Sequence, residues 1–153
     1  MDYFKLSQDK RIPYGITLNS VDRIAGYRES KRGDMSLLEN GISEVVRHSP
    51  LNFYPDILDR QIFMIKGAVK EVFDMFLPDM AYKRCNLIDT AVERYETYYI
   101  PTLDVVDIKD GIERGLHIFR IEGTKEIEVA VSLAAVEAVL RRKPVGVRVE
   151  AVG

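Results

Sequence analysis

Hydrophobic residues along this chain recur with the two-residue period of strands and, in two places, with the period of an amphipathic helix. The clearest example begins with the apolar run 62–65 and continues into five positions that share one helical face: Val69, Val72, Phe73, Phe76 and Leu77. Pro78 cannot continue a helix, so the helix ends before it. Residues 82–89 then alternate as a strand, with Cys85 and Leu87 on one face.

The same order of strand, helix and strand returns near the end of the chain. Residues 127–131 alternate, Ser132 is placed to cap a helix, and residues 145–149 alternate again. The apolar positions of this second helix are Leu133, Val136 and Leu140. The repetition fits an internal duplication, but strand-helix-strand units are common enough that chance similarity is an open alternative.

Shorter apolar runs predict further strands around these two units. They cover residues 3–7, 16–18, 42–47, 93–100, 103–106 and 116–121. The strand over 93–100 follows the strand over 82–89 closely enough to form a hairpin across residues 90–92. The fold class we expect is α+β, with a mixed or largely antiparallel sheet, two main helices, and the two strand-helix-strand units flanking a central hairpin.

The chain length of 153 residues predicts a single globular domain over residues 1–153. Residues 19–41 are polar and contain Gly26 and Gly33, so we expect them to be the most mobile part of that domain.

Charge and composition exclude several kinds of partner. The 22 basic and 24 acidic side chains give a net charge of -2, too balanced to attract nucleic acid without sequence preference. No apolar stretch approaches the roughly 18 residues of a membrane span, and the first residues lack a signal-peptide pattern. The single cysteine cannot form an internal disulfide. We therefore expect a soluble cytoplasmic protein with neither nucleic acid nor membrane as a partner.

The residue types that carry chemistry do not form a recognisable catalytic or metal-binding motif. His48 and His117 lie in separate segments, which favours structural or surface roles. Cys85 is expected to be a buried, unreactive thiol. Two histidines and one cysteine, far apart in sequence, do not predict structural zinc, and the glycines match no nucleotide-binding pattern. We expect a protein that is not an enzyme, with no cofactor and no bound metal.

Two groups of residues have both a functional and a structural interpretation. Asp56 and Asp59 are spaced to bind a metal or act as an acid-base pair, or alternatively to form a turn or helix start after Pro55. Three tyrosines offer either a recognition surface or ordinary cross-strand packing. They are Tyr95, Tyr98 and Tyr99.

The segment 54–59, with the sequence Tyr-Pro-Asp-Ile-Leu-Asp, resembles a bacterial family of polymorphic-toxin immunity proteins, often labelled as a domain of unknown function. The resemblance continues through the apolar run and helix that follow, and covers nearly the whole chain. Further strings that resemble the family lie at 9–12, 87–89, 98–101 and 118–121. The connection over 107–116 departs from the pattern because it is shorter than the insertion of many relatives.

The resemblance implies a protein that neutralises a cognate toxin by binding it directly, without chemistry of its own. Under this hypothesis the candidate partner-binding residues are Asp56, Asp59, Tyr95, Tyr98 and Tyr99. One alternative is a small hydrolase or metal-assisted enzyme that uses acidic residues near Asp56, paired with Asp59 or Asp89. Another is a self-associating structural or adaptor domain, a homo-oligomer formed through exposed sheet edges.

Overall fold

Ten strands and four α-helices make up the regular structure of residues 2–152, the part of the chain that the computed structural model describes. The strands are β1 (Tyr3–Gln8), β2 (Gly41–Val45), β3 (Ile57–Leu58), β4 (Met64–Ile65), β5 (Tyr82–Asp89), β6 (Arg94–Pro101), β7 (Val105–Val106), β8 (Ile118–Ile121), β9 (Val129–Ser132) and β10 (Val147–Ala151). The helices are α1 (Tyr27–Lys31), α2 (Gly67–Phe76), α3 (Ile108–Glu113) and α4 (Leu133–Arg141).

The strands form two mixed sheets of five strands each. The first sheet has the order β10-β1-β9-β8-β7, and the second has the order β2-β5-β6-β4-β3. Each sheet contains one parallel pair at an edge, β7 with β8 and β2 with β5, and its other pairs are antiparallel. The α+β class is therefore confirmed, and the strands divide between two sheets.

Both strand-helix-strand units are split by a third strand. In the first unit, β6 lies between β4 and β5 and is antiparallel to both. In the second unit, β1 lies in the same way between β9 and β10. The inserted strand comes from after the unit in one case and from the start of the chain in the other. The two units share this topology, which leaves both duplication and chance as explanations.

The hydrophobic core has three parts. The central part lies where α2 and α4 pack on each other and on strands of both sheets, with Phe73, Val131 and Val139 fully buried. A second part lies between the second sheet and the segment 16–38, and a third lies between the first sheet and α3. Because β9 has core on both faces, all four of its residues are buried.

The segment 19–41, expected to be mobile, supplies several core side chains. It contains a short 3-10 turn over Val21–Arg23 followed by α1, and four of its apolar residues are buried: Ile24, Tyr27, Met35 and Leu38. The Lys83 ammonium donates a hydrogen bond of 2.5 Å to the Met35 carbonyl and another to the Leu38 carbonyl. The mobility of the segment stays a prediction.

Some local predictions were wrong for identifiable reasons. Residues 16–18 do not form a strand, because the Gln61 side chain takes the place of a neighbouring strand. Its Oε1 accepts from Leu18 N at 2.9 Å and its Nε2 donates to Leu18 O at 2.5 Å. In α4 the outer positions Leu133 and Leu140 are exposed. The buried face consists of Ala135, Val136 and Val139.

Helix α3 was not predicted. Asp107 caps it by accepting hydrogen bonds from Lys109 N at 3.1 Å and Asp110 N at 3.3 Å. Gly111 is buried against the Phe119 ring, where any side chain would overlap the ring. The cap, the close-packed glycine and the packing of Ile108 and Ile112 on the third part of the core hold this helix, which is too short to show a clear period in the sequence.

Candidate functional site

Asp56 fastens the loop before β3 to the segment before β10. Its Oδ2 accepts a hydrogen bond from Val145 N at 3.1 Å, and its own backbone N donates to Val145 O at 2.8 Å. Its backbone carbonyl accepts from Lys66 N at 3.0 Å. These contacts give Asp56 a structural role, but it joins distant segments and does not form a local turn or helix start.

Asp59 joins the two sheets. Its Oδ2 accepts from the backbone N of Gln8, the last residue of β1, at 3.0 Å, and its own N donates to Gln8 Oε1 at 3.3 Å. The Lys10 ammonium lies 2.7 Å from Asp59 Oδ1, and only 3% of the Asp59 side chain is exposed. A carboxylate enclosed in this way is not available to a partner, so the expectation that Asp59 is a binding residue was wrong.

The acidic residues proposed for an enzyme each bind a different group. Asp56 is bonded to Val145, Asp59 to Gln8 and Lys10, and Asp89 to a histidine described below. Within residues 2–152, no group of three or more histidine, cysteine, aspartate or glutamate side chains is placed to hold a metal ion.

The expectation that Tyr98 faces a partner was also wrong. Its exposure is 0%, and its hydroxyl donates a hydrogen bond of 2.7 Å to the carbonyl of Pro55. Tyr98 pairs with Cys85 across β5 and β6, so it lies on the core face with that buried residue. Burial raises the pKa of the Tyr98 hydroxyl well above its ordinary value.

We predict that Tyr98→Phe lowers the free energy of unfolding by about 1 to 2 kcal/mol, because the Pro55 carbonyl loses its donor in a dry environment. Urea denaturation measures the change. Tyr14→Phe, at an exposed tyrosine, is the matched control and should change stability by less than about 0.5 kcal/mol. Equal values for the two variants would contradict the structural role of the Tyr98 hydroxyl.

Tyr99 is partly exposed and lies on the face of β6 opposite to Tyr98. Its ring lies edge-on to Tyr82, with centroids 6.0 Å apart, and the Lys70 ammonium lies 4.6 Å from its ring centroid. Tyr99 also contributes to the central core beside α2. Only part of its surface is therefore open to another molecule.

Tyr95 is the most accessible of the three tyrosines and belongs to an apolar strip. Its exposure is 66%, and it pairs with Ile88, which in turn pairs with Val45 at 60% exposure. Val92 lies in the adjoining hairpin turn with 55% exposure. We call these four residues, Val45, Ile88, Val92 and Tyr95, the outer strip. Val45, Ile88 and Tyr95 form a row across three strands, next to the hairpin turn that holds Val92. Farther along, the same sheet face packs on the central core, where Tyr99 pairs with Ile65.

Polar side chains continue this face beyond the outer strip. The next row holds Ser43, Asn86 and Thr97, and the Thr97 hydroxyl donates a hydrogen bond of 2.8 Å to Asn86 Oδ1. Arg84 follows in the third row and is exposed. The face therefore combines a small apolar centre with polar neighbours, which is the usual composition of a protein-binding surface.

No sequence pattern indicates the close pair that His48 and Asp89 form. His48 Nδ1 donates to Asp89 Oδ2 at 2.6 Å, and Asp89 Oδ1 accepts from Ala91 N at 3.0 Å. The hydrogen bond from His48 holds the pKa of Asp89 below its ordinary value. The pair arises because β2 runs parallel to β5, which brings the ends of both strands together, and it secures the start of the β5–β6 hairpin turn.

The thiol of Cys85 is fully buried, as expected. Burial, assisted by the charge of Glu44, raises the pKa of Cys85 to about 12. A thiol with this pKa is protonated at neutral pH, which makes it a poor nucleophile.

Within residues 2–152, no helix is both long enough and apolar enough to cross a membrane. Comparisons with family models, with curated proteins and with solved structures found no match for this chain. The resemblance to immunity proteins therefore stays a hypothesis that rests on the sequence strings given above.

Proposed function

We propose that this chain is a non-catalytic binding protein that neutralises a cognate bacterial toxin, and that the outer strip is the centre of its binding surface. The toxin class comes from the resemblance of the sequence to immunity proteins. The location of the surface comes from the outer strip, and Tyr95 is the single observation that carries it.

Tyr95 has the properties of a residue that dominates a protein interface. Tyrosine buries a large area on binding while its hydroxyl keeps a polar contact, and it loses little side-chain freedom because it has only two torsions. With Val45 and Ile88 beside it, Tyr95 presents a continuous apolar area rather than an isolated exposed side chain.

The outer strip sits on a rigid support. Strands β5 and β6 pair over eight positions, and the opposite face of both strands is packed against the core through Leu87 and Tyr98. A surface that is already ordered loses little conformational entropy on binding, so more of the contact energy appears as affinity. This mechanism needs shape and charge complementarity but no reactive group.

The acidic-enzyme alternative has less support, because Asp56, Asp59 and Asp89 are engaged by separate partners.

Self-association, the other alternative, would use the same kind of surface as toxin binding. Strands β2 and β10 are at sheet edges, and β2 carries Val45. Light scattering on the wild-type chain and on the variant below distinguishes an oligomer formed through the outer strip from a monomer.

The test is a substitution of Tyr95 combined with a toxicity assay. Proteins that cross-link to the purified chain in extracts of the native cell are expressed singly, and each is scored for growth arrest. We expect one of them to be toxic, to be neutralised by the wild-type chain, and to escape Tyr95→Glu. The expected loss of affinity is about thirtyfold or more, because a charge replaces the central aromatic contact.

Leu140→Glu is the matched control, since Leu140 is 53% exposed on α4 and lies outside the outer strip. The control should neutralise the toxin as the wild type does. If no captured protein arrests growth, the toxin-binding function is wrong. If Tyr95→Glu protects as well as Leu140→Glu, the function stands but the outer strip is not the surface.

A further inference from the structure

A cleft of about 470 Å³ is formed by four separate segments of the chain and shares no lining residue with the outer strip. Lys10 comes from the turn after β1, and Lys31 is the last residue of α1. Arg60 follows β3, and Lys125 lies between β8 and β9. Four basic residues that are distant in sequence thus meet around one concavity.

The cleft is positive although the chain as a whole has a net charge of -2. Four cations and two carboxylates line it: Lys10, Lys31, Arg60, Lys125, Asp59 and Glu126. The Lys10 ammonium, 2.7 Å from Asp59, is already neutralised. Lys31, Arg60 and Lys125 form no ion pair with any carboxylate within residues 2–152. Beside these three cations the lining holds one further carboxylate, that of Glu126, so positive charge is in excess. An excess of one sign in a concave surface focuses the electrostatic field and attracts the opposite charge.

The walls of the cleft are held in place by contacts that do not use these three cations. The reciprocal bonds between Asp59 and Gln8 fix one side. On another side the Arg120 guanidinium donates to Ser30 O at 2.8 Å and also to Lys31 O. Arg120, in β8, thereby holds the end of α1, which carries Lys31. The backbone around the cleft is set. The Lys31 ammonium lies 5.3 Å from the centroid of the Tyr27 ring, and none of the three cations is neutralised by a carboxylate of the described residues.

The size and charge of the cleft define a class of ligand. A volume of this order is typical of sites for small molecules. A single exposed ion contact contributes at most about 1 kcal/mol, so a monoanion would gain little from any one of these cations. An anion with several charged oxygens contacts Lys31, Arg60 and Lys125 together, and Arg60 adds the paired donors that suit phosphate oxygens. Ile127 supplies an apolar wall beside them.

We infer that this cleft binds a small molecule with two or more linked phosphate groups. The inference is independent of toxin binding, because its residues and those of the outer strip are different. It assigns a second ligand to the chain, and that ligand is an anion held by three cations on three segments.

The test is calorimetric titration of the purified chain with inorganic triphosphate at low ionic strength. We expect saturable binding to the wild type, weaker binding of orthophosphate, and loss of affinity as salt is raised. The double variant Arg60→Glu/Lys125→Glu should bind triphosphate at least about tenfold more weakly, a change of about 1.4 kcal/mol in binding free energy.

Lys109→Glu/Lys143→Glu is the matched control. It changes the net charge by the same amount, and neither lysine lines the cleft. It should retain the wild-type affinity. Circular dichroism and the thermal midpoint verify that each variant is folded. If the charge-reversed cleft variant does not fold, Arg60→Gln/Lys125→Gln is compared with Lys109→Gln/Lys143→Gln.

Three outcomes would overturn the inference. One is the absence of saturable triphosphate binding to the wild type. Another is an equal loss of affinity in the cleft variant and its control, which would reflect net charge alone. The third is a polyglutamate peptide that binds the cleft more tightly than triphosphate does, because the site would then recognise an acidic protein segment. None of these three outcomes affects the toxin assay on Tyr95, so the two proposals are tested separately.

Discussion

Asp59→Ala is expected to lower the free energy of unfolding by about 3 kcal/mol. The substitution removes the acceptor of the buried Gln8 N and leaves the Lys10 ammonium without its counter-ion. A buried donor left without a partner costs about 1 to 3 kcal/mol, and the broken ion pair adds a smaller amount because Lys10 is partly solvated. Since Asp59 joins β1 to the end of β3, the contacts that the substitution removes are contacts between the two sheets.

Urea denaturation followed by circular dichroism measures this change. Asp59→Asn keeps an oxygen for Gln8 N but removes the charge, so it should cost about half as much as alanine. Asp79→Ala, at an exposed aspartate, should stay within about 0.5 kcal/mol of the wild type. A cost below about 1 kcal/mol for Asp59→Ala would mean that water replaces the carboxylate and that the junction is not a dry contact.

Gly26→Ala should destabilise the chain by about 3 kcal/mol or more. Gly26 has a φ of 79°, a left-handed conformation that disfavours any side chain by about 1 kcal/mol. A Cβ at this position would also overlap the backbone carbonyl of Leu37. Backbone cannot rotate away as a side chain can, so the loop that carries the buried Met35 and Leu38 would have to move.

Gly115→Ala separates the two contributions. Gly115 has a similar φ of 68°, but among the described residues nothing lies within 4 Å of an added Cβ. Its cost should be about 1 kcal/mol, the conformational contribution alone. Thermal denaturation of both variants gives the comparison. A similar loss in the two would show that the segment around Leu37 yields to the extra carbon.

Local patterns in the sequence were sufficient wherever one face of an element is buried and the other is not. The strand over Tyr82–Asp89 and the hairpin with β6 follow from alternation, and the end of α2 before Pro78 follows from the missing amide hydrogen of proline. These features depend on neighbours within a few residues, so the sequence contains the relevant information.

The partition into two sheets depends instead on pairing between distant segments. Nothing near Tyr3–Gln8 indicates that this strand inserts between β9 and β10, more than a hundred residues later. The pair of His48 with Asp89 has the same origin, because only the parallel alignment of β2 and β5 brings the two residues together. Period and composition describe faces of elements but not which elements meet.

Part of the candidate site could be predicted from the sequence. Strand alternation places Tyr98 on the face opposite to Tyr95 and Tyr99, so the three tyrosines could not all contact one partner. The register of the hairpin, which pairs Tyr98 with the buried Cys85, decides which face is inside. No local pattern predicts that Asp59 is buried, because its partners Gln8 and Lys10 lie at the end of another strand.

The position of β1 has a consequence for how the chain is made. During synthesis the residues of the second sheet, from 41 to 101, emerge together and can pair as they appear. Strand β1 is made before that sheet but must wait for residues 129–151, its neighbours on both sides. Nascent molecules therefore carry β1 unpaired until residues 129–151 have been made, and these residues complete the first sheet.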